Sequence, residues 1–219
     1  MINFTYLNRK ALCFLSFFLV LTLSSTSQQV PKGLTASSNG QYIGFYEYTP
    51  VDYSSNSSEK YPVIIFLHGI GERGNGTTEL PFVLGQGIPK YINNGHPMRF
   101  FWNGKWETFL VLSPQLSRDY GDWQNFYVDE MLNYAKQNLR IDTNRIFLTG
   151  LSLGGGGVWK YASASLGNAM KFAAIAPVCG TCAMSNACNL ANANLPVWAF
   201  HAQDDGIVGA GCTTSSIQA

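Results

Sequence analysis

The sequence has few charges. Only 12% of its 219 residues are Asp, Glu, Lys or Arg, and its formal net charge is +1. Arg9 and Lys10 supply two of the positive charges, so the rest of the chain is slightly acidic and has no basic run that could follow a phosphate backbone. Nucleic acid is therefore not an expected partner. The 46% of hydrophobic residues instead indicate one packed globular domain.

The chain also lacks an uncharged apolar run of the roughly 20 residues that a membrane-spanning helix needs. Its most apolar stretch, Ala11 to Leu23, is shorter than that. This stretch follows Arg9 and Lys10 and precedes small polar residues, an order typical of a signal peptide. We therefore expect a signal peptide at residues 1–27 and a secreted, periplasmic or extracellular domain at residues 28–219. No stable membrane insertion is expected once the signal is removed.

Cysteine is scarce, and four cysteines remain after the predicted signal peptide: Cys179, Cys182, Cys188 and Cys212. An even number in an exported domain predicts disulfide bonds, although the spacing leaves their pairing open. Cys179 and Cys182 also have the spacing of a redox motif or of half a zinc site. No second such pair and no pair of histidines accompanies them. Disulfides are the first expectation, unpaired thiols the second and a metal site a distant third, and no cofactor is expected.

Short apolar runs alternate with stretches of helical periodicity. The predicted buried strands are Val63–Leu67, Leu110–Leu112, Arg145–Thr149, Phe172–Pro177 and Val197–His201, and the predicted helices are Phe126–Asn138 and Val158–Ala164. This alternation predicts an α/β fold with a mostly parallel sheet flanked by helices and with ligands at the carboxyl ends of the strands. Gly40 to Pro50 adds a hairpin-like edge strand. Residues 72–98 are expected to be irregular, apart from a short helix at Leu80–Leu84.

One pentapeptide has the pattern of a nucleophile elbow. Gly150-Leu151-Ser152-Leu153-Gly154 lies between a predicted strand and a predicted helix, the context that gives G-x-S-x-G its meaning. The turn is so sharp that side chains two positions on either side of the serine would clash, and the following helix directs free N–H groups at the site. A serine that merely caps a helix is the simpler alternative, but such a cap does not require Gly150. We therefore predict that Ser152 is a nucleophile.

Four stretches together resemble a known family. They are residues 66–74 (FLHGIGERG), 113–115 (SPQ), 141–155 (IDTNRIFLTGLSLGG) and 198–205 (WAFHAQDD). In this order they resemble the secreted α/β-hydrolase esterases related to feruloyl esterases, acetyl xylan esterases and polyhydroxybutyrate depolymerases, and the predicted peptidases close to them. The resemblance extends over most of residues 60–208. It implies the α/β-hydrolase fold.

The resemblance also assigns roles to single residues. The loop after the strand ending at Leu67 would supply an oxyanion-hole N–H from Ile70, and Leu153 would supply the second. The family's acid follows a His-Gly pair and two further residues, which maps the triad acid onto Asp205. Asp204 is the neighbouring alternative, because Ala202 replaces the family's glycine in this pattern.

Other polar residues near these motifs are expected to hold loops in place. His68 and His201 both end predicted strands, and each is expected to brace the loop that follows it rather than to act as a base. Glu72 and Arg73 are expected to brace the oxyanion loop as a pair.

No histidine follows Asp205. Triads in this fold run serine, acid, histidine along the chain, whereas all three histidines here, at positions 68, 96 and 201, precede Asp205. We expect that the chain is truncated before the last strand and its His-bearing loop and is inactive alone. A catalytically dead homologue is the alternative.

The expected activity is serine-dependent hydrolysis of carboxylic esters, on small molecules or on acyl and feruloyl groups of plant polysaccharides, through a Ser-His-Asp acyl-enzyme. A serine peptidase of the same fold and a non-catalytic carbohydrate-binding homologue are the alternatives. The latter rests on aromatic residues that could stack on sugar rings: Phe100, Phe101, Trp102, Trp106, Phe109 and Trp123. Asn56 and Asn75 fit the N-glycosylation sequon.

Overall fold

The computed structural model describes residues 29–51, 53 and 58–219. The predicted signal peptide and the sequon at Asn56 lie outside these residues. Within the described part of the chain, no helix is both long enough and apolar enough to cross a membrane.

A six-stranded sheet in the order β1-β2-β6-β3-β7-β8 forms the centre of the molecule. The strands are β1 (Gln29–Thr35), β2 (Tyr42–Tyr48), β3 (Tyr61–Leu67), β4 (Arg99–Trp102), β5 (Lys105–Thr108), β6 (Leu110–Pro114), β7 (Ile141–Leu151) and β8 (Ala174–Val178). β1 and β2 form an antiparallel hairpin at one edge, β2 runs antiparallel to β6, and the pairs from β6 to β8 are parallel. The mostly parallel sheet with its hairpin edge confirms the predicted α/β-hydrolase fold.

Helices lie on this sheet. They are α1 (Gly87–Asn93), α2 (Asn125–Asn138), α3 (Leu153–Ser163), α4 (Leu166–Ala169), α5 (Ala187–Asn192) and α6 (Gly211–Gln218). The two predicted helices correspond to α2 and α3, and a 3₁₀ turn at Leu80–Gly85 matches the predicted short helix. The short helix α1 lies in the segment that the sequence led us to expect as irregular. Its few residues offer too little periodicity to be recognised.

The core lies between the sheet and the helices α2 and α3. Alternate residues of β3, Val63, Ile65 and Leu67, are fully buried in the main cluster together with Met131 of α2 and Trp159 of α3. This alternation follows from the two-residue period of a strand. The continuous apolar sequence of β3 arises because its other face also packs, in a smaller cluster beneath α1.

The predicted strand at Val197–His201 is less regular than expected. In the described residues it pairs with β8 at two isolated parallel bridges, Ile175 with Val197 and Val178 with Phe200. Four backbone hydrogen bonds of 2.7–3.0 Å join the segment to β8, and Val197 and Ala199 pack on the main core. The opposite face of this edge segment is open, since Trp198 is 72% exposed.

Strands β4 and β5 form a separate aromatic hairpin around Asn103 and Gly104, which both have positive φ, as a two-residue hairpin turn requires. Phe109 leads from the hairpin to the first residue of β6, so the hairpin lies at the amino ends of the parallel strands. Four aromatic side chains on it are exposed: Phe100, Phe101, Trp102 and Trp106. The other two members of the predicted sugar-stacking group do not belong to this surface, because Trp123 is a core residue and Phe109 packs on Phe147.

The four cysteines among the described residues form one disulfide bond, between Cys182 and Cys212. Cys179 and Cys188 are free thiols, so both the first and the second expectation hold in part. The bond ties the loop after β8 to α6 and closes a segment that contains Asp205. No cluster of metal-ligating side chains is present among the described residues.

Candidate active site

Ser152 lies on a strained turn between β7 and α3. Its backbone angles are φ 57° and ψ −119°, a region that residues other than glycine rarely occupy. The turn is held because the Ser152 N–H donates to Val178 O over 2.9 Å. Backbone strain of this kind persists only where the surroundings enforce it, and it lifts the serine out of the regular path of strand and helix.

The glycines of the motif are required by the closeness of neighbouring backbone. A Cβ on Gly154 would lie 2.0 Å from Leu67 O, and one on Gly150 would lie 2.7 Å from the same oxygen. The carboxyl end of β3 therefore packs directly against the elbow. Any larger residue at either position would push these two segments apart.

The oxyanion loop lies beside the serine. A Cβ on Gly69 would be 3.6 Å from Cβ of Ser152. Ile70 opens a 3₁₀ turn (Ile70–Glu72) and Leu153 opens α3, so the N–H of each stands in a first turn, where no partner within the helix is available. Two free N–H groups next to a serine hydroxyl have the composition of an oxyanion hole.

His68 is buried completely and has no role as a base. Leu116 N–H donates to its Nε2 over 3.0 Å, so Nε2 carries no proton, and Nδ1 then donates to Gly69 O over 2.6 Å. Burial lowers the pKa of His68 to about 4. A neutral imidazole with both nitrogens engaged holds the start of the oxyanion loop, as the sequence led us to expect.

Glu72 and Arg73 do not act as the expected pair. Arg73 instead donates to the carbonyl oxygens of Ile70 and Tyr120, over 3.2 and 3.1 Å. The Glu72 carboxylate lies 4.0 Å from Nδ1 of His68. Arg73 still braces the loop, but through backbone oxygens, because a guanidinium can satisfy several acceptors at once.

Asp205 occupies a turn that fixes its carboxylate. Its Oδ1 accepts the N–H groups of Ile207 and Val208, over 2.9 and 3.0 Å. Hydrogen bonds from Val208 and Ile207, with a smaller contribution from His201, lower the pKa of Asp205. Its Oδ2 lies 3.6 Å from Nε2 of His201 and takes no part in the turn. The neighbouring Asp204 is exposed.

His201 braces this turn. Its Nε2 donates to Val208 O and its Nδ1 accepts the Thr213 hydroxyl, each over 2.7 Å. Since a carbonyl oxygen can only accept, the proton of the neutral ring is on Nε2. Both nitrogens are therefore occupied, as at His68.

Two backbone contacts bring the Asp205 turn to the same end of the sheet as the serine. Val178 accepts the N–H of Ser152, and the next residue, Cys179, donates to Phe200 O over 2.7 Å. His201 and the acid turn follow directly. This end holds the carboxyl termini of β3, β7 and β8, where ligands bind in open α/β sheets.

His96, the third histidine, lies at the other end of the molecule. Its Nδ1 accepts Met98 N–H over 3.1 Å, and its ring contacts Phe100 of the aromatic hairpin. His68 and His201 thus hold loops at the candidate site, and His96 lies far from it.

The sequence missed one buried polar residue next to the site. Gln115 follows β6 and is 2% exposed, and its side chain makes three hydrogen bonds to the segment after the oxyanion loop. Its occurrence in the Ser113-Pro114-Gln115 stretch was the only signal.

Fold and site together define an α/β-hydrolase with a serine on the elbow. The Esterase family matches residues 36–206, and the chain belongs to this family. A comparison with curated proteins found no match to the chain.

Solved structures share the fold. A thermostable esterase is 24% identical with a TM-score of 0.63, over 87% of this chain and 50% of that one. The feruloyl esterase module of Clostridium thermocellum, in complex with sinapinate, is 17% identical with a TM-score of 0.63, over 88% and 72%. S-formylglutathione hydrolase of Staphylococcus aureus is 20% identical with a TM-score of 0.52, over 77% and 62%. The chain thus spans half of the thermostable esterase.

Proposed function

We propose that the protein is a serine hydrolase that cleaves carboxylic esters. The observation that carries the proposal is the strained backbone of Ser152 with the loop before Ile70 packed against it, where a Cβ on Gly69 would lie 3.6 Å from Cβ of Ser152. The serine would attack the ester carbonyl, and the N–H groups of Ile70 and Leu153 would stabilise the negative charge that develops on the carbonyl oxygen. Membership of the Esterase family supports ester cleavage.

The acid of this reaction would be Asp205. Two backbone N–H groups keep its carboxylate ionised and oriented, and its second oxygen remains available to an imidazole. The acid in such a triad holds the histidine in the correct tautomer and stabilises the imidazolium that forms. His68 and His201 have both ring nitrogens engaged and His96 lies at the other end of the sheet, so none of these three histidines is placed to act as the base.

The substrate class is part of the proposal. Feruloyl esterase structures are among those with the same fold, and one of them is a complex with sinapinate. We propose acyl esters of small molecules or of plant polysaccharides, including aromatic acyl groups. We propose export as well, which would suit a polysaccharide-linked substrate, and the Cys182–Cys212 disulfide fits an oxidising compartment.

A serine peptidase would use the same machinery. An acylaminoacyl peptidase is 14% identical with a TM-score of 0.54, which supports the shared fold alone. An esterase and a serine peptidase differ in the bond that they cleave, so the substrate panel below distinguishes the two.

The test is active-site labelling with a fluorophosphonate probe, made on the product of the complete reading frame. Ser152 is expected to be labelled, and Ser152→Ala to lose both labelling and hydrolysis by several powers of ten while it keeps its melting temperature. Ser215→Ala, an exposed serine of α6, is the matched control. Feruloyl, acetyl-sugar and nitrophenyl esters are compared with matched amides. Labelling at another serine, or more than a tenth of the hydrolysis in Ser152→Ala, would contradict the proposal.

A further inference from the structure

Gln115 clamps the segment that follows the oxyanion loop. Its Nε2 donates to Glu72 O over 2.9 Å and to Glu79 O over 2.7 Å, and its Oε1 accepts Gly76 N–H over 2.8 Å. All three partners are backbone groups. One buried side chain thus fixes both ends and the middle of residues 72–79.

These partners determine the orientation of the amide. Two carbonyl oxygens can only accept, and one N–H can only donate, so exchange of the amide nitrogen and oxygen would leave three unfavourable contacts. Glutamine is also required for its chemistry: a carboxylate could serve the Gly76 N–H but not the two carbonyl oxygens. The amide is therefore specific for this loop conformation.

The adjoining residue of the same loop holds the other end of the oxyanion turn. Leu116 N–H donates to His68 Nε2, and His68 in turn donates to Gly69 O, immediately before Ile70. Glu72 O, which Gln115 holds, ends the same 3₁₀ turn. The turn that carries the Ile70 N–H is therefore pinned at its start through His68 and at its end through Gln115.

Close packing keeps the clamp in place. A Cβ on Gly74 would lie 2.6 Å from Nε2 of Gln115, and a Cβ on Gly44 of β2 would lie 1.8 Å from Gly76 O. The segment thus lies directly on β2 and on the glutamine amide. With no spare space on either side, a change at the amide is transmitted to the backbone.

We propose that Gln115 is a positioning residue that sets the direction of the Ile70 N–H in the oxyanion hole. This inference rests on the proposed function of the site. Ile70 itself is 58% exposed, so packing of its side chain contributes little to fixing it. Its N–H direction then depends on hydrogen bonds around the turn: the pin at Gly69, the bond from Arg73 to Ile70 O, and the Glu72 pin, which is the side chain of Gln115.

If Gln115 is removed, we expect the transition state to be stabilised less and substrate binding to stay nearly unchanged. An oxyanion-hole donor acts on charge that develops during the reaction, so its misplacement lowers kcat and leaves KM nearly unchanged. Removal of a donor lowers kcat by about 10²–10³-fold. Displacement of the Ile70 N–H is expected to lower kcat by about 10- to 100-fold.

The test compares Gln115→Met with Ser113→Ala in the product of the complete reading frame. Methionine keeps the length of the side chain and removes its hydrogen bonds. Ser113 is buried in the same segment, and its hydroxyl has no partner in the described residues, so its removal is the matched control. Ester kcat and KM are measured together with the inhibition constant of a trifluoromethyl ketone, whose adduct places a negative oxygen in the hole. Melting temperature establishes folding.

In Gln115→Met, kcat is expected to fall and the inhibition constant to rise by similar factors at constant KM, with both unchanged in Ser113→Ala. Gly74→Ala, which pushes the amide aside, is expected to behave like Gln115→Met and replaces it if that variant does not fold. Wild-type kcat in either folded variant, equal losses in the control, or failure of both variants to fold would overturn the inference. Absence of labelling and hydrolysis in the wild type would overturn the proposed function as well.

Discussion

The two halves of the candidate site are built differently. The serine and the oxyanion loop lie where β3 and β7 end in the middle of the sheet, and glycines allow backbone to pack on backbone there. The acid turn lies beyond the edge of the sheet, after a segment that is joined to β8 by two bridges and four backbone hydrogen bonds. The first half is over-determined by its surroundings, whereas the second is held by a few hydrogen bonds and one disulfide.

The two halves differ in the support that their chemical roles require. A nucleophile in a strained conformation needs rigid support, because the strain would otherwise relax. A carboxylate needs only its own turn, since hydrogen bonds from Ile207 and Val208 fix it locally. Beside the edge segment, the face formed by Phe109, Phe147, Ala176, Trp198 and Phe200 is an open apolar groove. The half of the site at the sheet edge is therefore also the half with more open apolar surface beside it.

The largest expected effect concerns the acid. Asp205→Asn is expected to lower kcat by about 10³- to 10⁴-fold, because an amide no longer stabilises the imidazolium. Asp204→Asn, the matched control one residue away, is expected to change kcat less than about twofold, since its side chain is exposed. Ester kinetics on the product of the complete reading frame make the measurement. The reverse ranking would place the acid at Asp204.

Two tryptophans probe the two halves directly. Trp159 of α3 is fully buried behind the serine, and Trp198 on the edge is 72% exposed. Trp159→Ala is expected to lower the free energy of unfolding by about 3–5 kcal/mol. Trp198→Ala is expected to change it by less than about 0.5 kcal/mol. Urea unfolding of the 219-residue chain measures both values, and equal losses would show that the two halves are equally held.

Gly154→Ala tests the backbone contact at the elbow. The added Cβ would lie 2.0 Å from Leu67 O, which has no freedom to move. We expect a loss of about 3 kcal/mol in unfolding free energy. Gly121→Ala is the control, because a Cβ on Gly121 meets no atom within 4 Å. Similar melting temperatures for the two variants would contradict the packing described here.

The smallest expected effect is the pH dependence that His68 contributes. Its folded pKa is about 4, below the 6.5 of the free side chain, so the unfolded chain binds more protons between these values. The contribution of neutral His68 to the free energy of unfolding is present above pH 6.5 and is lost as the pH falls towards 4. From the cited pKa values we expect a loss of about 2 kcal/mol between pH 7 and pH 5.

His68→Gln removes this titration and keeps a donor and an acceptor. Its unfolding free energy is expected to depend less steeply on pH than that of the wild type over the same range, whatever its absolute stability. Parallel curves for the two proteins would show that the pKa of His68 is the same in the folded and unfolded states, and the buried neutral brace at the oxyanion loop would then be wrong. The His201→Gln variant at the edge serves as the comparison.

The sequence by itself determined the elements whose pattern is local. The apolar run 63–67, the helix 126–138 and the elbow around Ser152 could be recognised, because strand and helix periods and glycine spacing are written in neighbouring residues. Asp205 was predicted only by aligning residues 201–205 with the family's pattern for the triad acid. The short helices, the aromatic hairpin and the disulfide pairing were not predictable in this way.

Only the tertiary structure decided what each polar residue near the serine does. His68 was expected to brace its loop, and the structure shows how: burial and two hydrogen bonds keep it neutral with both ring nitrogens engaged. Gln115 was marked only by its place in a stretch that resembles the family, and its role could not be predicted, because its three partners lie 36 to 43 residues earlier in the chain. A hydrogen bond between distant segments leaves no periodicity in the sequence, and it exists only after the sheet has brought those segments together.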